Sequence, residues 1–278
     1  MSNFWTRTVT GLSMVFLIIA SLIFSKFLFS LFFFFITVLG LWEFFRIIAS
    51  DNCQPQKSYG TLAGILIYIL IVLIGYLGNL LYFFYILLVP IPFFFFSFII
   101  EIFRRKPQPV VNIATTIMGM IWISFPFAML NLMFYRQPVY GFDIPVYLAG
   151  YFIITWVYDT GAYLYGKSFG KNKFFERISP KKTWEGTIAG IAAAIVIALV
   201  IAMIAPVIPV TDWLVLTGLI VIFGTSGDLI ESLFKRSLNL KDSGSLLPGH
   251  GGILDRFDAI LISAPFVFLH FLIRVLII

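Results

Sequence analysis

Apolar runs of about twenty residues recur along this chain and constrain its fold more than any other feature. Hydrocarbon offers the backbone no water, so a spanning segment must satisfy its own N–H and C=O groups as a helix. About 20 apolar residues cross a bilayer core of about 30 Å. Nine runs qualify, at roughly 8–25, 27–48, 60–78, 80–100, 111–134, 145–166, 186–208, 212–234 and 258–278. With 60% hydrophobic residues, 33 Phe and a mean hydropathy of +1.01, the chain departs from ordinary soluble domains, which are closer to half apolar. The expected architecture is an all-α integral membrane protein with about nine transmembrane helices. The first run has no small-residue cleavage site after it and leads at once into a second span. It is expected to be a retained helix, not a signal peptide.

The basic residues give this architecture a direction. If the N-terminus is inside, the inner segments carry Arg7, Arg46, Lys57, Arg104, Arg105, Lys106, six cations between Lys167 and Lys182, and Lys235, Arg236, Lys241 and Arg256. That is 16 of the 19 Lys and Arg; only Lys26, Arg136 and Arg274 fall outside. The expectation is therefore N-terminus cytoplasmic and C-terminus outside. The formal charge of +6 becomes a property of the cytoplasmic face, suited to anionic lipid headgroups and anionic cytosolic substrates. Nucleic acid is a poor partner for cations spread over several short loops against a membrane. Cys53, the single cysteine, leaves no disulfide framework and no cysteine-based zinc site.

Polar residues divide the chain unevenly. Residues 1–135 read as anchoring and packing helices, with Glu43 and Arg46 spaced to pair at a helix end. Pro90 and Pro92 are expected to kink or interrupt the fourth run, and the runs Phe32–Phe35 and Phe93–Phe96 to face lipid. Residues 136–278 read as the functional region, with two long inner loops at 167–185 and 235–257.

The segment from Ser232 to Asp258 is out of place in a chain with only 12% charged residues. It holds Lys235, Arg236, Lys241, Asp242, Asp255, Arg256, Asp258 and His250 within a Pro-Gly-His-Gly-Gly turn. Just before it, Asp228, Glu231, Ser232 and Lys235 follow i, i+3, i+4, i+7 spacing, so one helical stripe carries all four. An ionised carboxylate there needs a partner or a metal, and Lys235 is spaced to pair with Glu231. Asp255 and Asp258 share a face at the start of the last run, where the helix dipole alone also favours a carboxylate. Two carboxylates completed by water and phosphate oxygens are a usual way of holding Mg²⁺. Gly251 and Gly252 allow backbone N–H groups close to a phosphate, and Lys241 adds a point charge. His270, with apolar neighbours, reads as structural.

Upstream, Asp159 places a carboxylate late in the sixth run, and Ser179-Pro-Lys-Lys-Thr-Trp-Glu-Gly186 follows in a basic loop. Ser179 or Thr183 can cap the next helix, with Glu185 in its first turn. Lys182 ahead of a helix N-terminus suits a polyphosphate. Gly161 to Ser168 matches the letters of a P-loop, but a true P-loop follows a strand and opens a helix. Here the first glycine lies inside an apolar run.

The residues Ser232, Lys235, Arg236, Lys241, Asp242, Gly244, Pro248, His250, Gly251, Gly252, Asp255, Arg256 and Asp258 together resemble the signature of the phosphatidate cytidylyltransferase (CDP-diacylglycerol synthase) family. The segments at Asp159 and Ser179–Gly186 are similar to the family too, and the resemblance covers about 145–278. Lys181 stands where some members have glycine. The resemblance implies that CTP and phosphatidate give CDP-diacylglycerol and pyrophosphate at the cytoplasmic interface of a cell membrane. It also implies a homodimer, with Mg²⁺ on Asp228 and Asp255 and a second cation, K⁺ being the candidate, in the same site. Lys241, His250 and Arg256 are implied to take part in catalysis. Asp159, Ser179, Lys182, Thr183, Glu231, Ser232, Lys235, Arg236, Asp242, Gly251, Gly252 and Asp258 are implied substrate contacts, with Lys182 and Lys241 on the CTP phosphates.

Two rivals account for less. A transporter or channel explains intramembrane carboxylates but not the polar 235–257 loop with its His-Gly-Gly turn. A CDP-alcohol phosphotransferase would carry D-G-x-x-A-R and G-x-x-x-D-x-x-x-D, neither of which occurs.

Overall fold

A computed structural model describes residues 3–77, 88, 90–134, 137–139, 142–240, 243–244 and 251–277. Helix dominates it. In chain order the helices are α1 (Asn3–Phe24), α2 (Lys26–Ile47), α3 (Lys57–Leu77), α4 (Pro90–Arg104), α5 (Pro109–Leu132), α6 (Val146–Phe169), α7 (Trp184–Ile204), α8 (Val210–Ser237) and α9 (Leu254–Ile277). Six of these, α2, α3, α5, α7, α8 and α9, are long and apolar enough to cross a membrane. At 1.5 Å per residue, about 20 residues reach about 30 Å. α6 is 24 residues long but carries Asp159 and Lys167 among its apolar positions. Pro90 opens α4 and Pro92 sits in its first turn, where the missing N–H groups are not needed.

Two features depart from a plain all-helical reading. Short antiparallel hairpins pair β1 (Gln137–Val139) with β2 (Phe142–Ile144), and β3 (Lys173–Phe175) with β4 (Ser179–Thr183). Strand pairing gives these inter-helix connections partners for backbone groups that a bare loop would leave to solvent. In addition, α5 and α8 each contain one π-helical turn, at Met120–Ser124 and Ile220–Gly224. Such turns arise within α-helices, often at functional sites, and leave no periodicity signal.

The chain forms two compact units, and each sequence half contributes to the first. Unit one comprises Met1–Leu132 and Leu240–Phe257. Its core is aromatic. Phe33, fully buried, lies 5.6 Å from the Phe127 ring and 6.0 Å from Phe257. The expectation that Phe32–Phe35 face lipid is thus corrected: helical rotation turns Phe33 inward while Phe35 stays exposed. In the second run Phe95 and Phe96 are exposed. Glu43 and Arg46 do not form the expected pair; Arg46 lies over the Trp42 ring, and Glu43 is used elsewhere. Cys53 bridges its backbone to Ser50 and donates weakly to Thr115 Oγ1 at 3.5 Å.

Unit one also holds a polar knot. Buried Glu101 accepts from Gln56 Nε2 at 2.7 Å, Asn112 Nδ2 at 2.8 Å and Arg104 Nη1 at 2.7 Å. Arg104 also donates to the Gln54 carbonyl at 2.9 Å, and Asn112 Oδ1 accepts from Gln54 N at 2.7 Å. One carboxylate thereby ties the 54–56 connection to α4 and α5.

Unit two comprises Met133–Asn239 and Asp258–Ile278. Hydroxyl pairs join its helices: Tyr158 with Thr225 at 2.6 Å and Tyr151 with Ser263 at 2.7 Å. His270 Nδ1 meets Tyr147 OH at 2.8 Å, a structural contact of the kind its apolar neighbours suggest. Removing Glu101 leaves buried donors without an acceptor, at about 1–3 kcal/mol for each. Glu101→Ala should therefore lower the thermal midpoint in detergent sharply, while Glu101→Gln, which keeps one acceptor, should lower it less. Equal melting of Glu101→Ala and the parent chain would contradict this role.

Candidate active site

In unit two, small residues bring two helices into close contact. Gly161 and Gly166 of α6 face Gly190 and Gly186 of α7: a Cβ on Gly161 would lie 3.5 Å from the Gly190 Cα, and one on Gly166 3.4 Å from the Gly186 Cα. Such small-residue seams let membrane helices pack backbone to backbone. The P-loop lookalike therefore lies inside α6, and its two glycines serve helix packing. Thr183 caps α7, its Oγ1 accepting from Gly186 N at 3.2 Å. Ser179, the other capping candidate, lies in β4. Glu185 accepts from Lys171 N and Asn172 N at 3.1 Å, which ties the β3–β4 hairpin to the helix start.

This packing opens a cavity of about 680 Å³ lined by Asp159, Ser179, Lys181, Lys182, Thr183 and Asp228, with Tyr158, Lys167, Lys173 and Thr225 among its other walls. Its size is that of a small-molecule site. Lys182 from β4 donates to Asp228 Oδ2 on α8, both side chains being partly buried. One turn after Asp228, Glu231 is buried and pairs with Lys235 at 2.6 Å. Gly227 of α8 lies against α9 so closely that an added Cβ would collide with the Asp258 carbonyl. Asp258 comes within electrostatic reach of Asp228, Glu231 and Asp159. Four acidic side chains thus stand close together, with Lys182 on Asp228 and Lys235 on Glu231.

Unit one carries the other polar cluster, at the start of α9. Asp255 Oδ2 accepts from Ser243 N at 2.9 Å and Gly252 N at 2.8 Å. Gly251 adopts φ +83°, a conformation that favours glycine. Arg256 and Arg236 are exposed, and Ser232 is half-buried. Lys241, Asp242 and His250 lie outside the described residues. Of the expected site residues, the structure brings together Asp159, Ser179, Lys182, Thr183 and Asp228 around one cavity, with Glu231, Lys235 and Asp258 beside Asp228. Asp255, Gly251 and Gly252 belong to the other unit. Glu43, expected to pair with Arg46 at a helix end, instead accepts from Ser243, Ile253 and Leu254; an acid in an otherwise apolar helix was the available signal.

The donor set suits a hard divalent cation, which takes oxygen ligands and keeps several waters. The carboxylate oxygens of Asp159 and Asp228 on the cavity wall fit such a cation better than a soft metal. Among the described residues no group of three or more His, Cys, Asp and Glu is placed to hold a metal ion, so protein ligands would be supplemented by water or substrate oxygens.

Fold and site together define a multi-pass membrane protein with a cavity built from carboxylates and lysines. The chain belongs to the Cytidylyltransferase family, whose model it matches over residues 5–274. It is 45% identical over 117 residues to a phosphatidate cytidylyltransferase of Bacillus subtilis, covering 42% of this chain and 44% of that protein. It is 38% identical over 157 residues to a phosphatidate cytidylyltransferase of Staphylococcus aureus strain COL, covering 56% and 57%. The matches span about half the length of these relatives.

The seam generates a direct prediction. A Cβ on Gly190 would approach the Tyr158 carbonyl to 2.9 Å, so Gly190→Leu should force α6 and α7 apart beside Asp159. Loss of monodisperse protein, or a large fall in thermal midpoint, is the expected outcome in detergent. Parent-like melting would show that the helices do not need this contact.

Proposed function

We propose that this chain is a phosphatidate cytidylyltransferase, converting CTP and phosphatidate to CDP-diacylglycerol and pyrophosphate. One observation supports the reading most: Lys182 and Asp228 pair on the wall of a nucleotide-sized cavity in a chain of the Cytidylyltransferase family. A phosphate oxygen of phosphatidate attacks the α-phosphorus of CTP in line. A new P–O–P linkage forms as the bond to pyrophosphate breaks. A phosphomonoester is already largely dianionic near neutral pH, so no protein nucleophile is needed. The requirement is charge cancellation between two polyanions by positioned groups.

The residues divide that work. Lys182 holds its charge beside Asp228 and turns it to the CTP phosphates when they arrive; Lys241 joins it there. Arg236 and Arg256 meet the pyrophosphate or lipid phosphate. Asp228 and Asp255 are the residues that would hold Mg²⁺, which would supply charge screening for the phosphates, and a second cation such as K⁺ would share the site. Nine spans with the N-terminus inside would put these loops on the cytoplasmic face, where CTP arrives by water and phosphatidate through the bilayer. That orientation rests on the distribution of Lys and Arg.

The test uses purified protein in detergent with radiolabelled CTP, phosphatidate and Mg²⁺. A CDP-lipid product is expected, and its absence from folded protein defeats the reading. Asp228→Asn and Asp255→Asn should each lower turnover by about 10³-fold or more while the protein still folds, by analogy with removal of one transition-state electrostatic group. Retained turnover in either variant removes that residue from the metal site.

A further inference from the structure

Glu43 sits near the end of apolar α2 with 1% of its surface exposed. An ionisable group in such a helix is expensive unless its oxygens are occupied, and here they are directed at one place. Oε1 accepts from Ser243 Oγ and from Leu254 N at 3.1 Å; Oε2 accepts from Ile253 N at 2.8 Å. The residues ahead of α9, Gly251-Gly252-Ile253, offer no side chain able to cap it. First-turn N–H groups need an acceptor, and Glu43 supplies one from 211 positions away.

The same few atoms fix Asp255. Ser243 is held twice, its hydroxyl by Glu43 and its N–H by Asp255 Oδ2 at 2.9 Å. Gly252 N donates to Asp255 Oδ2 at 2.8 Å, immediately before the two N–H groups that Glu43 accepts. Space for this carboxylate is left by glycine. A Cβ on Gly244 would lie 2.9 Å from Glu43 Oε2, and one on Gly252 would overlap Oε1. These two glycines make room for Glu43.

We infer that Glu43 is a positioning residue for Asp255. It holds Ser243 on one side and Ile253 and Leu254 on the other, and so sets where the Asp255 carboxylate stands. The inference rests on the proposed function, in which Asp255 holds the metal. A carboxylate suits the task because two oxygens accept three donors. An amide would retain one acceptor and turn an N–H₂ group against a backbone N–H.

Mn²⁺ alone, titrated into detergent-purified protein with free ion read by its EPR signal, tests this apart from turnover. Partners that orient a metal ligand are typically worth 10–100-fold in metal affinity. Glu43→Gln should therefore weaken Mn²⁺ binding by about 10-fold or more, lower kcat, and leave KM for phosphatidate unchanged. Ser243→Ala removes only one of the Glu43 bonds and should shift Mn²⁺ binding the same way by less; it carries the test if Glu43→Gln does not fold. Parent-like Mn²⁺ affinity in the folded variants overturns the inference. A parent chain that forms no CDP-lipid defeats the proposed function instead, and the Mn²⁺ comparison still decides the role of Glu43.

Discussion

A carboxylate inside an apolar helix must find a donor or a cation, and that requirement organises the polar structure of this chain. Glu43 is met by two backbone N–H groups and a hydroxyl, and Glu101 by Gln56, Asn112 and Arg104. Asp228 is met by Lys182, and Glu231 by Lys235. In most cases the partner lies far away in sequence. The long-range partners, Ser243, Ile253 and Leu254 for Glu43, Gln56 for Glu101 and Lys182 for Asp228, therefore tie together segments far apart in the chain. The helices themselves follow from hydrocarbon's demand for internal backbone bonding; the carboxylates decide how they are arranged.

The two kinds of polar cluster do different work. In unit one, Glu43 and Asp255 use backbone N–H groups to shape a loop and a helix start, with glycines leaving the space. In unit two, Asp159 and Asp228 line a cavity with lysines, an arrangement able to exchange one cation for another. Carboxylates held this close are poorly stable without a cation, and Lys182 and Lys235 supply one to Asp228 and to Glu231.

Much of the helical framework was legible because spanning length is set by membrane thickness, not by tertiary detail. α2, α3, α5, α7, α8 and α9 begin and end within a few residues of the apolar runs. The pairing of Lys235 with Glu231 and the capping by Thr183 were local and could be read from spacing. Long-range partners could not. Glu43 looked like one half of a helix-end pair with Arg46, since i, i+3 spacing is visible and a donor some 200 positions later is not. The inward turn of Phe33, the π turns and the hairpins depend on packing and backbone pairing, which hydropathy does not encode. In the site, the residue types were legible but the Lys182–Asp228 pair was not, because neither residue has a partner nearby in sequence.

The central claim is that the lipid phosphate displaces pyrophosphate from the α-phosphorus of CTP. Two parallel reactions of purified protein with phosphatidate, one using CTP labelled at the α-phosphorus and the other at the γ-phosphorus, test it most directly. The account predicts α label in the organic-extractable lipid and γ label in pyrophosphate. Transfer of γ label to lipid, or α label remaining wholly in water-soluble nucleotide, would contradict it.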